Sequence, residues 1–373
     1  MFIIAGRLKA CLRPTDTVAR LGGDEFTILL EDIEDISDAI RVADRVEQEL
    51  TLPFELEGQE VFTSASIGIT LSATGYDQPE DVLRDADLAM YRAKNQGSAR
   101  YEIFNPDMHA RAVALLQFET DLRNALERQE FRLLYQPIVL LSTGRIIGFE
   151  ALIRWQHPQY GLLLPAEFIP AAEETGLITR ICQWVIRVAS TQLRRWQLQL
   201  PTTPLLIISL NLSSKQFTQF NLTNQINQIL QETGLDAAGL RLELTEGAIM
   251  DNAESAAVML LQLRELGVQL SIDDFGTGYS SLSRLHEFPI NGLKIDRSFV
   301  SQIGVGQGNS AIVSTIVTLA HKLGVDVTAE GVETAEQLAQ LRALNCEYGQ
   351  GHFFSLPLDS EAAEALIVAN PQW

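Results

Sequence analysis

Beyond residue 130, short apolar runs alternate with longer segments whose apolar positions recur at a helical spacing. Short apolar runs bounded by polar or turn residues predict strands, and amphipathic segments between them predict helices. The predicted strands are Phe131–Val139, Ile146–Arg154, Leu205–Leu212, Leu240–Thr245, Val268–Asp273, Gly292–Ile295, Asp326–Ala329 and a short one near Tyr348. The helical patterns between them include Ala253–Leu266 and Ser310–Leu323. This alternation predicts an α/β fold with a parallel sheet closed as a TIM-like barrel.

The connection between the first two of these strands is too short for a crossover helix. Only residues 140–145 separate them, and Ser142-Thr143-Gly144 has the composition of a turn. Parallel neighbours need a connection of a dozen residues or more, whereas antiparallel neighbours need only a hairpin. We therefore predict that one strand of the barrel is antiparallel.

The first 104 residues have a different pattern. They contain two predicted strands, Phe26–Leu30 and Val61–Leu71, and two predicted helices, Asp35–Leu50 and Pro79–Asn95. A polar connector from Asn105 to Ala114 then leads into an amphipathic helix, Leu116–Arg128. Because a single core stops growing at about 250–300 residues, the 373 residues predict two domains. The pattern divides them into an α/β domain over 1–104, a linker helix region over 105–117 and a barrel domain over 118–373.

Composition narrows the range of partners. The formal net charge is −20, so the chain lacks the basic surface that binding of a nucleic-acid polymer requires. Binding of an anionic substrate would therefore require metal ions and a few suitably positioned cationic side chains. We find no apolar stretch long enough to cross a membrane and no signal peptide. The three cysteines form no close pair, which favours a reducing, cytoplasmic location.

Polar residues stand at the ends of several predicted strands. In a barrel of this type the carboxyl ends of the strands meet at one mouth, where active residues lie. The residues that should converge there are Glu150, Asn211, Glu243, Asp273, Asp274, Lys294 and Glu330.

Carboxylates combined with one amide are the ligands that hard cations such as Mg²⁺ and Mn²⁺ prefer. A bridging aspartate could hold two metals about 3.5–4 Å apart, the arrangement that serves phosphoester hydrolysis. The alternative is that each residue merely caps the helix that follows its strand. That reading explains any one of them, but not the convergence of an amide, several acids and a lysine at one mouth.

Nine sequence segments, in order, resemble the EAL-domain cyclic di-GMP phosphodiesterases over residues 118–373. A lone EAL triplet is a weak signal, whereas the ordered set is specific. The segments are YQPI (135–138), EALIR (150–154), PAEFIPAAEETGLI (165–178), NLSS (211–214), ELTE (243–246), DDFGTGYSSL (273–282), LKID (293–296), AEGVE (329–333) and YGQGHFFSLP (348–357).

The resemblance implies a role for each matched position. One metal would be held by Glu150, Asn211, Glu243 and Asp273, and a second by Asp273 and Asp274, with Asp273 bridging. Lys294 would hold the attacking water or its phosphate. Glu330 would act either as the general base or as a ligand of the second metal, and the sequence leaves both open.

Four further positions match residues that contact substrate or steady the site. Gln136, Arg154 and Gln350 would bind substrate, and Glu246 would steady the DDFGTG loop. Lys294 and three of these four have simpler alternatives. Lys294 could be a surface lysine, Arg154 could pair with an acid such as Glu167, Gln350 could serve a turn, and Glu246 could make a purely structural hydrogen bond.

The amino-terminal region resembles the GGDEF diguanylate cyclases. The matching segments are RLGGDEF (20–26), ASIGI (65–69) and DADLAMYRAK (85–94). The family's first strand, metal-binding aspartate and asparagine-containing segment would lie before Met1, so we expect a remnant that makes no cyclic di-GMP. Arg13 and Asp16 stand at the spacing of the family's product-binding inhibitory site, and we interpret them as ancestry.

The resemblance implies metal-dependent hydrolysis of cyclic di-GMP to linear pGpG in bacterial second-messenger signalling. The alternative from another class is a receptor that binds cyclic di-GMP without turnover, and a third is an intact cyclase in the first half. The family also contains homodimers, although no heptad run here indicates one.

Overall fold

The structure is a computed structural model that describes residues 1–56, 59–72, 75–95, 97, 100–200, 205–217, 221–250, 253–277, 285–304 and 310–373. It forms two compact units, Met1–Thr120 and Asp121–Trp373. No helix in these ranges has the length and apolar character needed to cross a bilayer.

The first unit combines helices with short two-stranded sheets. The described elements are α1 (Phe2–Ala10), β1 (Thr17–Gly22), β2 (Glu25–Leu29), α2 (Ile36–Thr51), β3 (Phe54–Leu56), β4 (Gln59–Val61), β5 (Ser66–Ile69), α3 (Pro79–Asn95) and β6 (Arg100–Ile103). Strands β1–β2 and β3–β4 are antiparallel pairs, and β5–β6 is a parallel pair. The apolar face of α2 packs with α1, so that Leu8, Val46 and Leu50 form a buried cluster.

The predicted strand Val61–Leu71 is wrong in its extent. Strand β4 ends at Val61, β5 begins at Ser66, and the residues between them are irregular. Phe62 in this gap is 67% exposed. The apolar run therefore does not continue along one buried face, which is what a single strand would need.

The predicted connector from Asn105 to Ala114 is also wrong, because the backbone there is helical. A single helix, α4, runs over Pro106–Ala125. Asn105 accepts a hydrogen bond from the backbone N–H of Met108 at 3.2 Å, and Pro106 stands at the first helical position. Asparagine before a helix and proline at its start both favour initiation, so the helix begins at Pro106 rather than at Leu116.

The second unit contains the remaining elements. They are β7 (Phe131–Leu140), β8 (Arg145–His157), β9 (Gly161–Leu163), α5 (Pro165–Glu174), α6 (Ile178–Gln199), β10 (Ile207–Asn211), α7 (Ser214–Phe217), α8 (Leu222–Thr233), β11 (Leu240–Thr245), α9 (Glu246–Met250), α10 (Ala253–Glu265), β12 (Gln269–Phe275), β13 (Gly292–Ile295), α11 (Arg297–Val300), α12 (Ser310–Leu323), β14 (Asp326–Ala329), α13 (Ala335–Ala343), β15 (Tyr348–Gly349) and α14 (Ser360–Ala369).

Eight of these strands close into a barrel in the order β7, β8, β10, β11, β12, β13, β14, β15. Pairing of β10 with β8 and of β15 with β7 closes the ring. Strand β7 is antiparallel to both of its neighbours, and the other pairs around the ring are parallel. The predicted TIM-like barrel with one antiparallel strand is confirmed. Strand β9 extends the sheet as an antiparallel partner of β8 outside the ring.

The strands are staggered around the ring. Glu150 on β8 is the register partner of Ser209 on β10, whereas Asn211, two residues later, is the partner of Glu243 on β11. Glu243 in turn pairs with Ser271 on β12. Residues two apart point to the same face of a strand. The stagger therefore carries inward-facing positions of successive strands to one end of the barrel.

Candidate active site

The ammonium group of Lys294 lies at the centre of the barrel mouth. Its Nζ atom is 2.5 Å from Glu243 Oε2 and 2.5 Å from Glu330 Oε1. Asp273 Oδ1 lies 3.3 Å away and Glu150 Oε2 3.5 Å away. The side chain of Lys294 is 1% exposed. It is therefore not a surface lysine but the shared partner of four acids from four strands or strand ends.

The surroundings of Lys294 hold it in the charged form. Burial alone would lower the pKa of its ammonium group, since a low-dielectric site disfavours charge. The carboxylates of Glu150, Glu243, Glu330 and Asp273 outweigh burial and raise that pKa well above its ordinary value. The surrounding carboxylates therefore favour the charged form of Lys294.

Glu150 anchors a second set of contacts in the mouth. Its Oε1 accepts a hydrogen bond of 2.6 Å from Asn211 Nδ2, and its Oε2 accepts one of 2.6 Å from Gln350 Nε2. Gln350 Nε2 also donates to Gln136 Oε1 at 3.0 Å, and Gln136 Nε2 donates to the carbonyl of Ser355. Two predicted substrate residues, Gln136 and Gln350, therefore contact each other and a predicted metal ligand.

Asp273, Asp274 and Glu330 bring carboxylate oxygens within 4.8 Å of one another. Asp274 has a φ of +53°, in the left-handed region that a non-glycine residue enters at a cost. The register of β12 and β13 shifts between Ile272 and Phe275. This irregularity turns the backbone so that the two adjacent aspartates both serve the mouth, although neighbours on a regular strand point to opposite faces.

Burial perturbs the acids of the mouth. It raises the pKa of Glu243 to about 7 and that of Glu330 to about 8, with neighbouring carboxylates raising both and Lys294 lowering both. The pKa of Asp274 is raised as well, first by burial and then by Asp273 and Asp296. A single ammonium does not neutralise this set. Bound divalent cations would, and oxygen ligands of this kind suit Mg²⁺ or Mn²⁺.

Asp296 lies beside this set although the sequence did not point to it. Its carboxyl group lies close enough to Asp274 to raise the pKa of that residue, and it also caps α11, accepting from the N–H of Ser298 at 3.0 Å. Asp296 belongs to the matched LKID segment, in which only Lys294 was assigned a role.

Glu246 contacts the segment that follows the paired aspartates. Its Oε2 accepts a hydrogen bond of 3.1 Å from the N–H of Gly276, and Glu246 is 3% exposed. Gly276 has a φ of +97°, and a Cβ there would lie 3.1 Å from the Phe299 ring. The later part of the DDFGTGYSSL segment, from Gly278 to Leu282, lies outside the described residues.

Arg154 is the predicted site residue that the structure does not join to the others. It is half-buried on β8, and its Nη1 donates to the carbonyl of Ile153 at 2.8 Å. Burial lowers the pKa of its guanidinium, and Glu150 opposes that effect. Its alternative partner Glu167 instead accepts from the N–H of Leu164 at the start of α5.

The GGDEF motif lies in a hairpin of the first unit. Strands β1 and β2 form it, with Gly22 opposite Glu25 and Gly23 at a φ of +49°. Asp24 and Glu25 are both exposed. Before the hairpin, Asp16 Oδ2 accepts a hydrogen bond of 2.9 Å from the N–H of Arg13, so this pair forms a local turn.

Two family profiles match the chain. The EAL domain matches residues 119–357, and the diguanylate cyclase GGDEF domain matches residues 1–100. Among curated proteins of Pseudomonas aeruginosa, the bifunctional diguanylate cyclase/cyclic di-GMP phosphodiesterase MucR is 42% identical over 364 residues, and the cyclic di-GMP phosphodiesterase NbdA is 40% identical over 367. Each alignment covers 98% of this chain but only 53% of MucR and 46% of NbdA. The chain therefore spans about half the length of these relatives.

Solved structures agree with this match. The PaMucR phosphodiesterase in complex with c-di-GMP is 43% identical, with a TM-score of 0.64, and the match covers 66% of this chain and 99% of that one. The FimX EAL domain of Pseudomonas aeruginosa bound to c-di-GMP is 27% identical, with a TM-score of 0.58, covering 66% and 96%. The barrel, its mouth and these matches show that the chain belongs to the EAL domain family and carries a GGDEF region before the barrel.

Proposed function

We propose that the barrel hydrolyses one phosphodiester of cyclic di-GMP and releases linear pGpG. The observation that carries the proposal is the convergence of five carboxylates and one amide around Lys294 at the barrel mouth. Relatives named as cyclic di-GMP phosphodiesterases, and solved neighbours named as c-di-GMP complexes, support the choice of substrate.

Two divalent cations, Mg²⁺ or Mn²⁺, fit this donor set. Glu150, Asn211, Glu243 and Asp273 would hold one, and Asp273 with Asp274 would hold the other. When bound, such ions lower the pKa of water and stabilise the charge that develops on phosphoryl oxygens. The cations would also offset the burial and the mutual repulsion that raise the pKa values of the acids.

Lys294 and Glu330 then have complementary tasks. The ammonium of Lys294 is a donor that can orient the attacking water or a phosphate oxygen. Glu330 lies at the edge of the cluster and is partly exposed. Its raised pKa suits a group that accepts a proton near neutral pH, and the same carboxylate could instead join the second metal.

The amides of Gln136 and Gln350 and the guanidinium of Arg154 would bind the substrate. Neutral amides can hydrogen-bond to a nucleotide without adding charge to an acidic mouth. Arg154 supplies a bidentate donor for a phosphate, and it is not committed to a carboxylate partner in the described structure.

The test is turnover of cyclic di-GMP with Mg²⁺ or Mn²⁺, followed by chromatography of pGpG. The informative variant is Asp273→Asn, which keeps the shape and removes the charge of the bridging residue. A matched control is Asp326→Asn, since Asp326 lies at the opposite end of strand β14 and is exposed. We expect pGpG from the wild type and the control, and almost none from Asp273→Asn.

The competing function is a receptor that binds cyclic di-GMP without cleaving it. Tight binding with no pGpG under either metal would reject hydrolysis in favour of that function. Equal turnover by the wild type and Asp273→Asn would reject the proposed metal centre.

A further inference from the structure

Most of the inward-facing positions just below the mouth carry small residues, although Arg241 lies below Glu243. Inward-facing positions two residues before the site residues share their face of each strand. In TIM barrels such positions are usually filled by Val, Ile and Leu. Below Glu150, Asn211, Asp273, Lys294 and Glu330, however, the corresponding residues are Gly148, Ser209, Ser271, Gly292 and Thr328.

Ser209 has a particular position in this layer. It is the register partner of Glu150 in the parallel pair β8–β10, so both side chains face the barrel interior side by side. It is 0% exposed. Among the described hydroxyl groups of the layer, only Ser209 Oγ is fully buried without a hydrogen-bond partner.

A buried hydroxyl without a partner costs about 1–3 kcal/mol, so its retention needs an explanation. Alanine would occupy the same buried position without an unpaired hydroxyl. Size alone therefore does not explain the serine at this position.

The neighbouring carboxylate offers an acceptor. Both oxygens of Glu150 are now engaged, Oε1 by Asn211 and Oε2 by Gln350 and Lys294. The proposed function requires Glu150 and Asn211 to turn towards a cation, which would break or lengthen these contacts. Carboxylates that bind a metal are themselves held by hydrogen bonds from the surrounding residues.

We propose that Ser209 is a positioning residue of the metal centre. Its hydroxyl would donate a hydrogen bond to the Glu150 carboxylate and hold it in the orientation that binds the cation. The inference rests on the proposed function, since it assigns Ser209 to the metal site of that reaction.

The experiment measures Mn²⁺ affinity by electron paramagnetic resonance in the full chain, without substrate. The variant is Ser209→Ala, and the matched control is Ser190→Ala. Ser190 lies on α6, is also 0% exposed and also has an unpartnered Oγ. Because loss of a group that supports a metal ligand typically costs about 10–100-fold in metal affinity, we expect that loss for Ser209→Ala and no change for Ser190→Ala.

Thermal unfolding of the metal-free proteins separates the proposed role from a packing role. Both alanine variants should unfold at or above the wild-type temperature, because each removes an unpaired hydroxyl. Ser209→Cys keeps a side chain of similar size with a weak hydrogen-bond donor, so it should recover part of the Mn²⁺ affinity. Its Mn²⁺ affinity also tests the proposal if Ser209→Ala folds poorly.

The inference is overturned if Ser209→Ala binds Mn²⁺ as tightly as Ser190→Ala, or if Ser209→Cys binds no more tightly than Ser209→Ala. It also fails if the wild type binds no Mn²⁺, but then the proposed metal centre fails with it. The control and wild-type titrations thus distinguish the two failures.

Discussion

The chain carries acidic motifs in two regions, and the two differ in how far their acidic side chains are buried. In the hairpin of β1 and β2, Asp24 and Glu25 point into solvent. In the barrel mouth, Glu150, Glu243 and Asp273 are buried around one lysine. Exposed charges are screened by water and by salt, whereas buried ones interact strongly and require compensation.

The difference shows what a motif alone does not tell. Both regions match a family by sequence, but the acids of the barrel mouth are buried close together, which destabilises the metal-free fold. A site that concentrates like charge in this way is poised to bind cations. The following substitutions test whether the contrast between the two regions is functional.

The largest effect should come from the bridging aspartate. Asp273→Asn should lower kcat for cyclic di-GMP hydrolysis on the order of 10²–10³-fold, since it weakens both metal sites and the charge stabilisation that they supply. Steady-state release of pGpG measures it. A loss below about tenfold would mean that the mouth is not the reaction centre.

The next effect concerns the stability of the metal-free barrel. Lys294→Met should lower the free energy of unfolding by about 3–5 kcal/mol at neutral pH, because it leaves buried carboxylates unpaired. Chemical denaturation in the presence of a chelator measures this. The matched control is Arg20→Met, which removes an exposed cation of the hairpin and should change stability by less than about 1 kcal/mol.

Stability should also depend on pH in a defined direction. Glu243 and Glu330 have raised pKa values of about 7 and 8 in the folded chain, against an ordinary value of 4.5. Between these values the folded state binds more protons than the unfolded state. The unfolding free energy of the metal-free protein should therefore fall as pH rises from about 5 to 8.

Thermal melts at several pH values in a chelator test this dependence. Adding Mn²⁺ should raise the melting temperature more at pH 8 than at pH 5, because the ligands must be deprotonated. Glu330→Gln should flatten the pH dependence. A free energy of unfolding that rises with pH across this window would contradict the raised pKa values of Glu243 and Glu330.

A smaller effect is expected at Glu246. Replacing it with Gln keeps an acceptor for the N–H of Gly276 but removes the charge. A hydrogen bond to a charged group contributes about 1.5–3 kcal/mol against about 1 for a neutral one, so turnover should fall by roughly tenfold or less. An unchanged kcat would show that the bond is structural.

The smallest effect is expected in the hairpin. Glu25→Gln alters an exposed carboxylate of the first unit and should leave hydrolysis of cyclic di-GMP within about twofold of wild type, as is typical of surface changes. A larger change in kcat would show that the hairpin influences the barrel. The exposed acids of the hairpin would then not be functionally separate from the buried acids of the mouth.

Much of this architecture could be predicted because strand periodicity is a strong signal. The barrel and its antiparallel strand followed from the apolar runs and from the short turn after β7. The principal error was the connector predicted before Leu116, where α4 already runs from Pro106. Asn105 before the helix and Pro106 at its first position both favour initiation there.

Parts of the site could not be predicted for reasons of geometry. The left-handed turn at Asp274 accompanies a register shift between β12 and β13. The position of Ser209 beside Glu150 depends on the stagger between β8 and β10. Neither relation leaves a spacing in the sequence, because both arise between strands rather than along one.

The stagger of the barrel has a consequence for how this mouth tolerates insertions and deletions. A residue added within one strand would reverse the facing of every later side chain in it, turning an acid outwards and an apolar neighbour inwards. Segments beyond the strand ends can change length without this penalty. Evolution can therefore remodel the rim of the mouth freely, while the strands that supply its floor accept substitutions but not changes in length.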